Sequence, residues 1–237
     1  MSLKGISVVL PAFNEEKCIK GVVQDALKYL KAIDDEWEII VINDGSQDKT
    51  GKIIEGIAHR NPKIKIIHHF KNEGYGKSLK DGITISRFDY VFFTDSDRQF
   101  DLKALNVMLP LAKTGVVDLV IGYRINRKDP FLRKFLSWVY NALAGFLFDL
   151  DVKDIDCAFK IFKKSIFEKI KIESATFFVN TEILTKAKFF GFKILEVGVP
   201  HFPRKAGRSS VSFRHIPLTL KELWKIYRSL KRLREKK

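Results

Sequence analysis

The stretch Tyr90-Val91-Phe92-Phe93-Thr94-Asp95-Ser96-Asp97-Arg98-Gln99 sets an apolar, strand-type run against two carboxylates one residue apart, with an amide two positions on. A buried strand ending this way delivers three oxygen donors, Asp95, Asp97 and Gln99, to a sheet edge. Such donors suit Mg²⁺ or Mn²⁺, which proteins hold through one or two carboxylates completed by substrate phosphates. The same residues also make a polar turn capping a following helix, since Asp and Ser are ordinary turn and N-cap residues. Asp44-Gly45-Ser46 offers a carboxylate acceptor, or a plain turn and cap. Lys77 follows Gly74 and Gly76 at a helix start, where a point charge and backbone N–H groups suit an anion; the other reading is a solvated surface lysine. Arg124, Arg127, Lys128, Arg133 and Lys134 form one basic cluster, and Arg204, Lys205 and Arg208 a second. Guanidinium forks match phosphate oxygens bidentately, and the alternative for each is solvated surface charge.

These residues need elements to place them, and the first half alternates β-type and helical patterns. Residues 5–10 read as a strand stopped by Pro11, with Asn14 as N-cap of a helix from about 15 to 30. Strands follow at 37–43, 63–68, 90–94 and 119–122. Helical patterns occupy the segment through Ile53, Ile54, Ile57 and Ala58, then 79–87 and 102–112. Strands bounded by helices and apolar on both faces predict an α/β fold, a Rossmann-like and mostly parallel sheet with helices on each side. Ligands of such sheets bind outside the carboxyl ends of the strands, where every polar cluster of this half lies. A dinucleotide is disfavoured, because the turn after the first strand has no G-x-G-x-x-G and carries Glu15 and Glu16. No G-x-x-x-x-G-K-[ST] is present either, and the chain is too long for a phosphoacceptor receiver domain.

Composition bounds the rest. The 237 residues, 46% hydrophobic, can bury a sizeable core. Cys18 and Cys157 form no metal or disulfide pattern and read as buried small residues in a reducing compartment. The chain begins directly with a strand pattern, and no apolar run reaches the ~18 residues of a spanning helix, so a cytoplasmic, non-integral protein is expected. A net charge of +15 calls for an anionic partner, and residues 204–237 carry twelve Lys or Arg against Glu222 and Glu235. A nucleic-acid-binding protein would explain that charge. It would leave the strand-end carboxylates unexplained, so no nucleic-acid partner is expected.

Taken together, Pro11-Ala12-Phe13-Asn14-Glu15-Glu16, Asn43-Asp44-Gly45-Ser46, Asn72-Glu73-Gly74-Tyr75-Gly76-Lys77 and Asp95-Ser96-Asp97 with Gln99 resemble the ordered motifs of family 2 glycosyltransferases of the glycosyltransferase A fold. Gly122-Tyr123-Arg124, the 127–133 loop, Asp154-Ile155-Asp156-Cys157-Ala158-Phe159-Lys160 and Arg204-x-x-Gly207-x-Ser209 are similar to the polyprenyl-phosphate sugar synthases, such as dolichyl-phosphate mannose synthase. The resemblance covers roughly residues 5–215. It implies that Pro11, Phe13, Glu15 and Asp44 line the base and ribose of a UDP- or GDP-sugar, joined by Lys77, Asp95, Ser96 and Arg204. Asp95, Asp97 and Gln99 would hold Mg²⁺ or Mn²⁺ against the diphosphate. A phosphate acceptor is already an anionic nucleophile and needs positive charge more than a base, so Arg124, Arg133 and Arg204 are expected at the acceptor and diphosphate, with Asp97, Arg124 and Arg133 as the catalytic set. Glu182 sits where base-dependent relatives often place a carboxylate; it either shapes the site or caps structure and is not assigned as a base. Transfer to a sugar or lipid hydroxyl is the alternative. The sequence departs from the mannose synthases at Phe13 (Tyr there), Ala158 (Gly), Lys160 (Arg) and Ser210 (Lys).

Residues 131–148 are rich in aromatics and suit either a helix lying in a membrane interface or a buried core helix. Residues 1–215 are expected to form the catalytic domain and 216–237 a basic helix opened by Pro217, with Leu220, Leu223, Trp224, Tyr227 and Leu230 as one apolar stripe. That helix would hold the protein on the inner face of an anionic membrane, beside its lipid acceptor and any integral partner, or would dock on its own core.

Overall fold

Residues along each strand alternate between two apolar layers. Val9, Ile40, Ile42, Val91, Phe93, Leu119 and Ile121 go to one, and Val8, Leu10, Ile39, Val41, Phe92 and Val120 to the other. The computed structural model describes residues 3–33, 36–127, 129–203 and 216–235. Seven strands form one sheet: β1 (Leu3–Ala12), β2 (Trp37–Asn43), β3 (Ile64–His68), β4 (Phe88–Thr94), β5 (Leu119–Ile125), β6 (Phe159–Lys163) and β7 (Ile194–Pro200). Their spatial order is β3-β2-β1-β4-β6-β5-β7. Helices α1 (Ile19–Leu30), α2 (Thr50–Ala58) and α4 (Leu105–Lys113) cover one face. Helices α3 (Tyr75–Ile85), α5 (Phe131–Phe148), the short α6 (Ile166–Lys169), α7 (Val179–Phe189) and α8 (Ile216–Arg234) cover the other. Burial on both faces explains why the strands read as continuous apolar runs.

Six strands point one way and β6 runs against both its neighbours. Its reversal matters for chemistry, because it brings residues 154–158, which precede β6, to the same edge as the residues that follow β1, β2, β4 and β5.

Several local expectations shift. Pro11 does not stop β1 but pairs with Ile42, at a point where the ladder to β4 has already ended at Val9–Phe93, so its missing N–H breaks nothing. Asn14 does not cap α1. It turns the chain in the left-handed region (φ 55°), and its side-chain oxygen accepts from Gln47 N while its own N–H donates to Ser46 Oγ, which joins the loops after β1 and β2. Helix α3 starts at Tyr75 rather than 79, because the N–H groups of Gly76 and Lys77 find the Ala175 carbonyl. Gly74 (φ 100°) and Gly76 permit that contact: a Cβ there would lie 2.3 Å from Ala175 O and 2.2 Å from Ser174 O.

The expected stripe on α8 divides. Leu223 and Leu230, with Ile226, are buried in the layer that holds α7, whereas Leu220, Trp224 and Tyr227 are each more than half exposed. Helix α5 divides likewise. Ala144 and Phe148 join the core, and Phe131, Phe135, Trp138 and Phe146 face outward. Among the described residues, no helix is long and apolar enough to cross a membrane.

Candidate active site

At the end of β4, Asp95 is half-buried and Asp97 buried. Ser96 between them donates to Pro11 O (2.7 Å), which fixes the turn against β1. Asp97 Oδ1 accepts the Gln99 N–H at 3.0 Å, and the Gln99 amide donates to Phe202 O at 3.0 Å, leaving its oxygen as the metal-type donor. Arg98 sits between them in the left-handed region (φ 61°) and swings away to Asp25 (2.6 Å). For an arginine that backbone is strained, as turns at functional sites often are. The buried Tyr75 hydroxyl lies beside Asp95, and burial, then the charges of Asp95 and Asp97, hold it well above the usual phenol range. The donor set fits a divalent cation that a substrate completes. Two carboxylates stand one residue apart, and among the described residues no group of three His, Cys, Asp or Glu would enclose a metal unaided.

After β2, the buried Asp44 accepts from His69 Nδ1 (2.7 Å), Glu73 N (2.8 Å) and Gly74 N (2.9 Å). It thus folds the 69–74 loop over the edge and keeps one of its about four lone-pair positions. His69 also reaches Asp81 through Nε2 at 3.0 Å, and Lys77 pairs with the same Asp81 at 2.5 Å. At the start of α3, the N–H groups of Gly76 and Lys77 point to Ala175 O, and the Lys77 amine, still partly exposed, is held by Asp81.

On the other side of Asp95, β5 carries Arg124 one residue before its end, and the Arg124 Nε and one terminal nitrogen each lie 2.7 Å from Asp154. Burial works against both charges, but the two-point bond outweighs it, raising the guanidinium and holding Asp154 below the usual carboxylate range. Asp129 gathers Arg127 and Arg133, each at 3.0 Å, and burial is again outweighed by these partners, so that its carboxyl sits low. His201 packs edge-on against Phe100 near these arginines, and burial, then Arg124, push it down to about 4. Lys160 is buried with its amine on the carbonyls of Ile155 (3.0 Å) and Cys157 and on Asn180 Oδ1 (3.2 Å); burial lowers its basicity. Glu182 is buried and spent on the N–H groups of Glu173 and Ser174 and on Lys186 (2.6 Å).

Residues 7–171 match the family described as Glycosyl transferase family 2. The chain belongs to that family. A dodecaprenyl-phosphate galacturonate synthase of Rhizobium johnstonii is 32% identical over 174 residues, 70% of this chain and 50% of that one. A dolichyl-phosphate beta-glucosyltransferase of Dictyostelium discoideum is 31% identical over 216 residues, 82% of this chain and 65% of that one. The chain thus spans between half and about two thirds of these relatives' lengths. Among solved structures, the glucosyl-3-phosphoglycerate synthase of Mycobacterium tuberculosis, crystallised with Mn²⁺, UDP and glucosyl-3-phosphoglycerate, superposes with a TM-score of 0.72 at 19% identity, over 95% of this chain and 79% of that one. The two share the glycosyltransferase A fold.

This family 2 chain brings most of the residues singled out in its sequence to one sheet edge: Pro11 near the end of β1 with Phe13 and Glu15 after it, Asp44 after β2, Asp95 to Gln99 after β4, and Arg124 near the end of β5 with Arg133 in the first turn of α5. Phe13 is nearly half exposed, so a ring face is open there. Lys128, Arg204, Lys205, Arg208 and Ser210 lie outside the described residues. Sequence reasoning missed His69, Asp129, and Asp154 as the partner of Arg124. His69 and Asp154 carry no local signal, because their partners come from distant parts of the chain, whereas Asp129 lies within four residues of both its arginines and its spacing to Arg133 was the available signal.

Proposed function

We propose that this chain is a metal-dependent, inverting glycosyltransferase that moves a hexose from a UDP- or GDP-sugar to a polyprenyl or dolichyl phosphate at a membrane surface. One observation carries the reading. A cation-type carboxylate pair and an arginine-rich loop share a sheet edge, while Glu182, where many base-dependent relatives place a carboxylate, is locked by two backbone N–H groups and Lys186. A chain arranged this way is suited to an acceptor that is already an anion. The names of the two curated relatives point to the same acceptor class.

In this reading the open face of Phe13 stacks on the base, with Pro11 and Glu15 along the ribose. Asp44 holds the 69–74 loop in place and offers its remaining lone pair to a base N–H. Asp95, Asp97 and the Gln99 oxygen hold Mg²⁺ or Mn²⁺, which when bound neutralises charge on the leaving diphosphate. Arg127 and Arg133, both drawn to Asp129, present their forks to the acceptor phosphate, whose oxygens match them better than a single carboxylate does. Arg124 is held by Asp154 as a fixed positive charge, and Arg204 is a further contact for the diphosphate or acceptor. The buried, neutral His201 keeps water from the arginine cluster. The outward aromatic face of α5 and the outer face of α8 lie in the headgroup region, peripheral on the cytoplasmic side.

The test is incubation with UDP- and GDP-hexoses, Mg²⁺ or Mn²⁺, and a short polyprenyl phosphate, followed by organic extraction. A sugar-bearing lipid phosphate, lost with a chelator, is the expected product. Equal transfer to the free polyprenol would replace the phosphate acceptor with a hydroxyl, and no transfer from any donor would overturn the reading.

A further inference from the structure

The sheet order sets a direction along the site. The loops after β2 and β1 lie on one side of Asp95 and Asp97, and the segment entering β6 lies on the other. A nucleotide seated on the first two loops, with its diphosphate at the carboxylate pair, directs its sugar toward residues 154–160. Most polar groups of that segment are already engaged: Asp154 with Arg124, Lys160 with two carbonyls and Asn180, and the neighbouring Tyr140 hydroxyl with Thr181. The pairing of Thr94 with Phe159 sets this segment beside the end of β4, and burial pushes the Cys157 thiol up to about 12.

Asp156 is the exception. Its Oδ1 is buried and has no hydrogen-bond partner among the described residues, yet the residue as a whole is only partly buried. Buried polar atoms almost always find a partner, so one that does not marks a place prepared for something else. The missing group must be a donor. A phosphate brings only acceptors, and a second metal finds no enclosing group of carboxylates, histidines or cysteines among the described residues. A sugar hydroxyl is a donor of the right size and carries no charge. We propose that Asp156 accepts a hydrogen bond from a hydroxyl of the transferred hexose and sets which hexose the enzyme uses. The inference rests on the nucleotide-sugar reading of this edge. The hydrogen bonds around Asp156 close without it, and what it gives the fold is longer-range attraction to Arg124, Lys160 and Arg127.

The experiment is calorimetric titration of UDP, UDP-glucose, UDP-galactose, GDP and GDP-mannose, with Mn²⁺, into the full wild-type chain and into Asp156→Asn and Asp156→Ala, with melting temperatures for all three. Both variants are expected to bind the bare nucleotide as the wild type does. They should lose about ten- to a hundredfold in affinity for the preferred sugar nucleotide, the span of a charge-assisted hydrogen bond. Discrimination between hexose epimers should flatten, and the melting temperature should stay level or rise. Parallel losses for nucleotide and sugar nucleotide, an unchanged epimer ratio, or a lower melting temperature in Asp156→Asn would each overturn the role. If the wild type binds UDP or GDP but gains nothing from any attached sugar, Asp156 has no such role while the nucleotide site stands. If it binds no nucleotide, the underlying reading falls as well.

Discussion

At the scale of single residues, the site separates groups that meet a ligand from groups that hold them in place. Asp97→Asn keeps an oxygen for the Gln99 N–H but removes charge from the carboxylate pair. It should abolish nearly all metal-dependent transfer while leaving the circular dichroism spectrum and melting temperature near wild type. Activity with an unchanged Mg²⁺ requirement would show that Asp97 is no ligand. Arg124 was expected at the acceptor, but its two-point bond to the buried Asp154 changes what its removal does. Arg124→Ala leaves a buried carboxylate unpaired and should cost about 3–5 kcal/mol in urea unfolding. Replacing Arg124 by Met together with Asp154 by Leu should recover most of that. Asp156 gives a signature in pH. Burial raises its carboxyl to about 6, with Arg124, Lys160 and Arg127 pulling it down and Asp154 pushing it up. The folded state thus holds its proton more tightly than the unfolded chain, where an Asp titrates near 3.9. Its stabilising contribution is full below about pH 4 and lost as pH rises through about 6. The melting temperature of Asp156→Asn relative to wild type should therefore climb between pH 4 and 7, and a flat difference would contradict the raised carboxyl.

At the scale of elements, α5 and α8 each offer one face to the core and another to the outside. The outer face of α5 carries Phe131, Phe135, Trp138 and Phe146, and that of α8 carries Leu220, Trp224 and Tyr227 among Lys and Arg. Removing α8 outright would strip Leu223, Ile226 and Leu230 from the core and confuse docking with unfolding. Point changes on the outer faces are cleaner. Trp224→Ala with Tyr227→Ala should weaken cosedimentation with anionic vesicles, most visibly at high salt, where screening removes the about 1 kcal/mol that each basic residue near the surface adds within a Debye length. Phe135→Ser with Trp138→Ser should weaken binding to neutral and anionic vesicles alike. Unchanged sedimentation of both pairs would remove the membrane role from these helices. The division of each helix into two faces was not legible in the apolar stripe alone. On α8, residues 220, 224 and 227 lie close to 223, 226 and 230 in helical spacing, and only the position of α7 decides which side is inside.

At the scale of the whole molecule, what could be read from the sequence was whatever depends on near neighbours. The bounds of β2, the run of β4 and the carboxylates at its end follow from alternation and abrupt changes of polarity over a few residues. Strands β6 and β7 were missed, the first being short and the second interrupted by Gly198. Their pairing joins segments far apart in the chain, as do Asp44 with the 73–74 backbone and Arg124 with Asp154. The reversed β6 also bears on how the chain can be made. Strand β5 emerges from the ribosome before β6, yet β6 lies between it and β4. Until Phe159–Lys163 is synthesised, β4 has no partner on that side and β5 has no place in the sheet. An uncovered apolar strand edge invites pairing with other chains. Nascent chains stalled between residues 125 and 158 should therefore engage chaperones strongly and lack native-like protease protection, and those long enough to free β6 should gain it in a step that joins β5 to β4 and brings the carboxylate edge together, with β7 adding at the edge later.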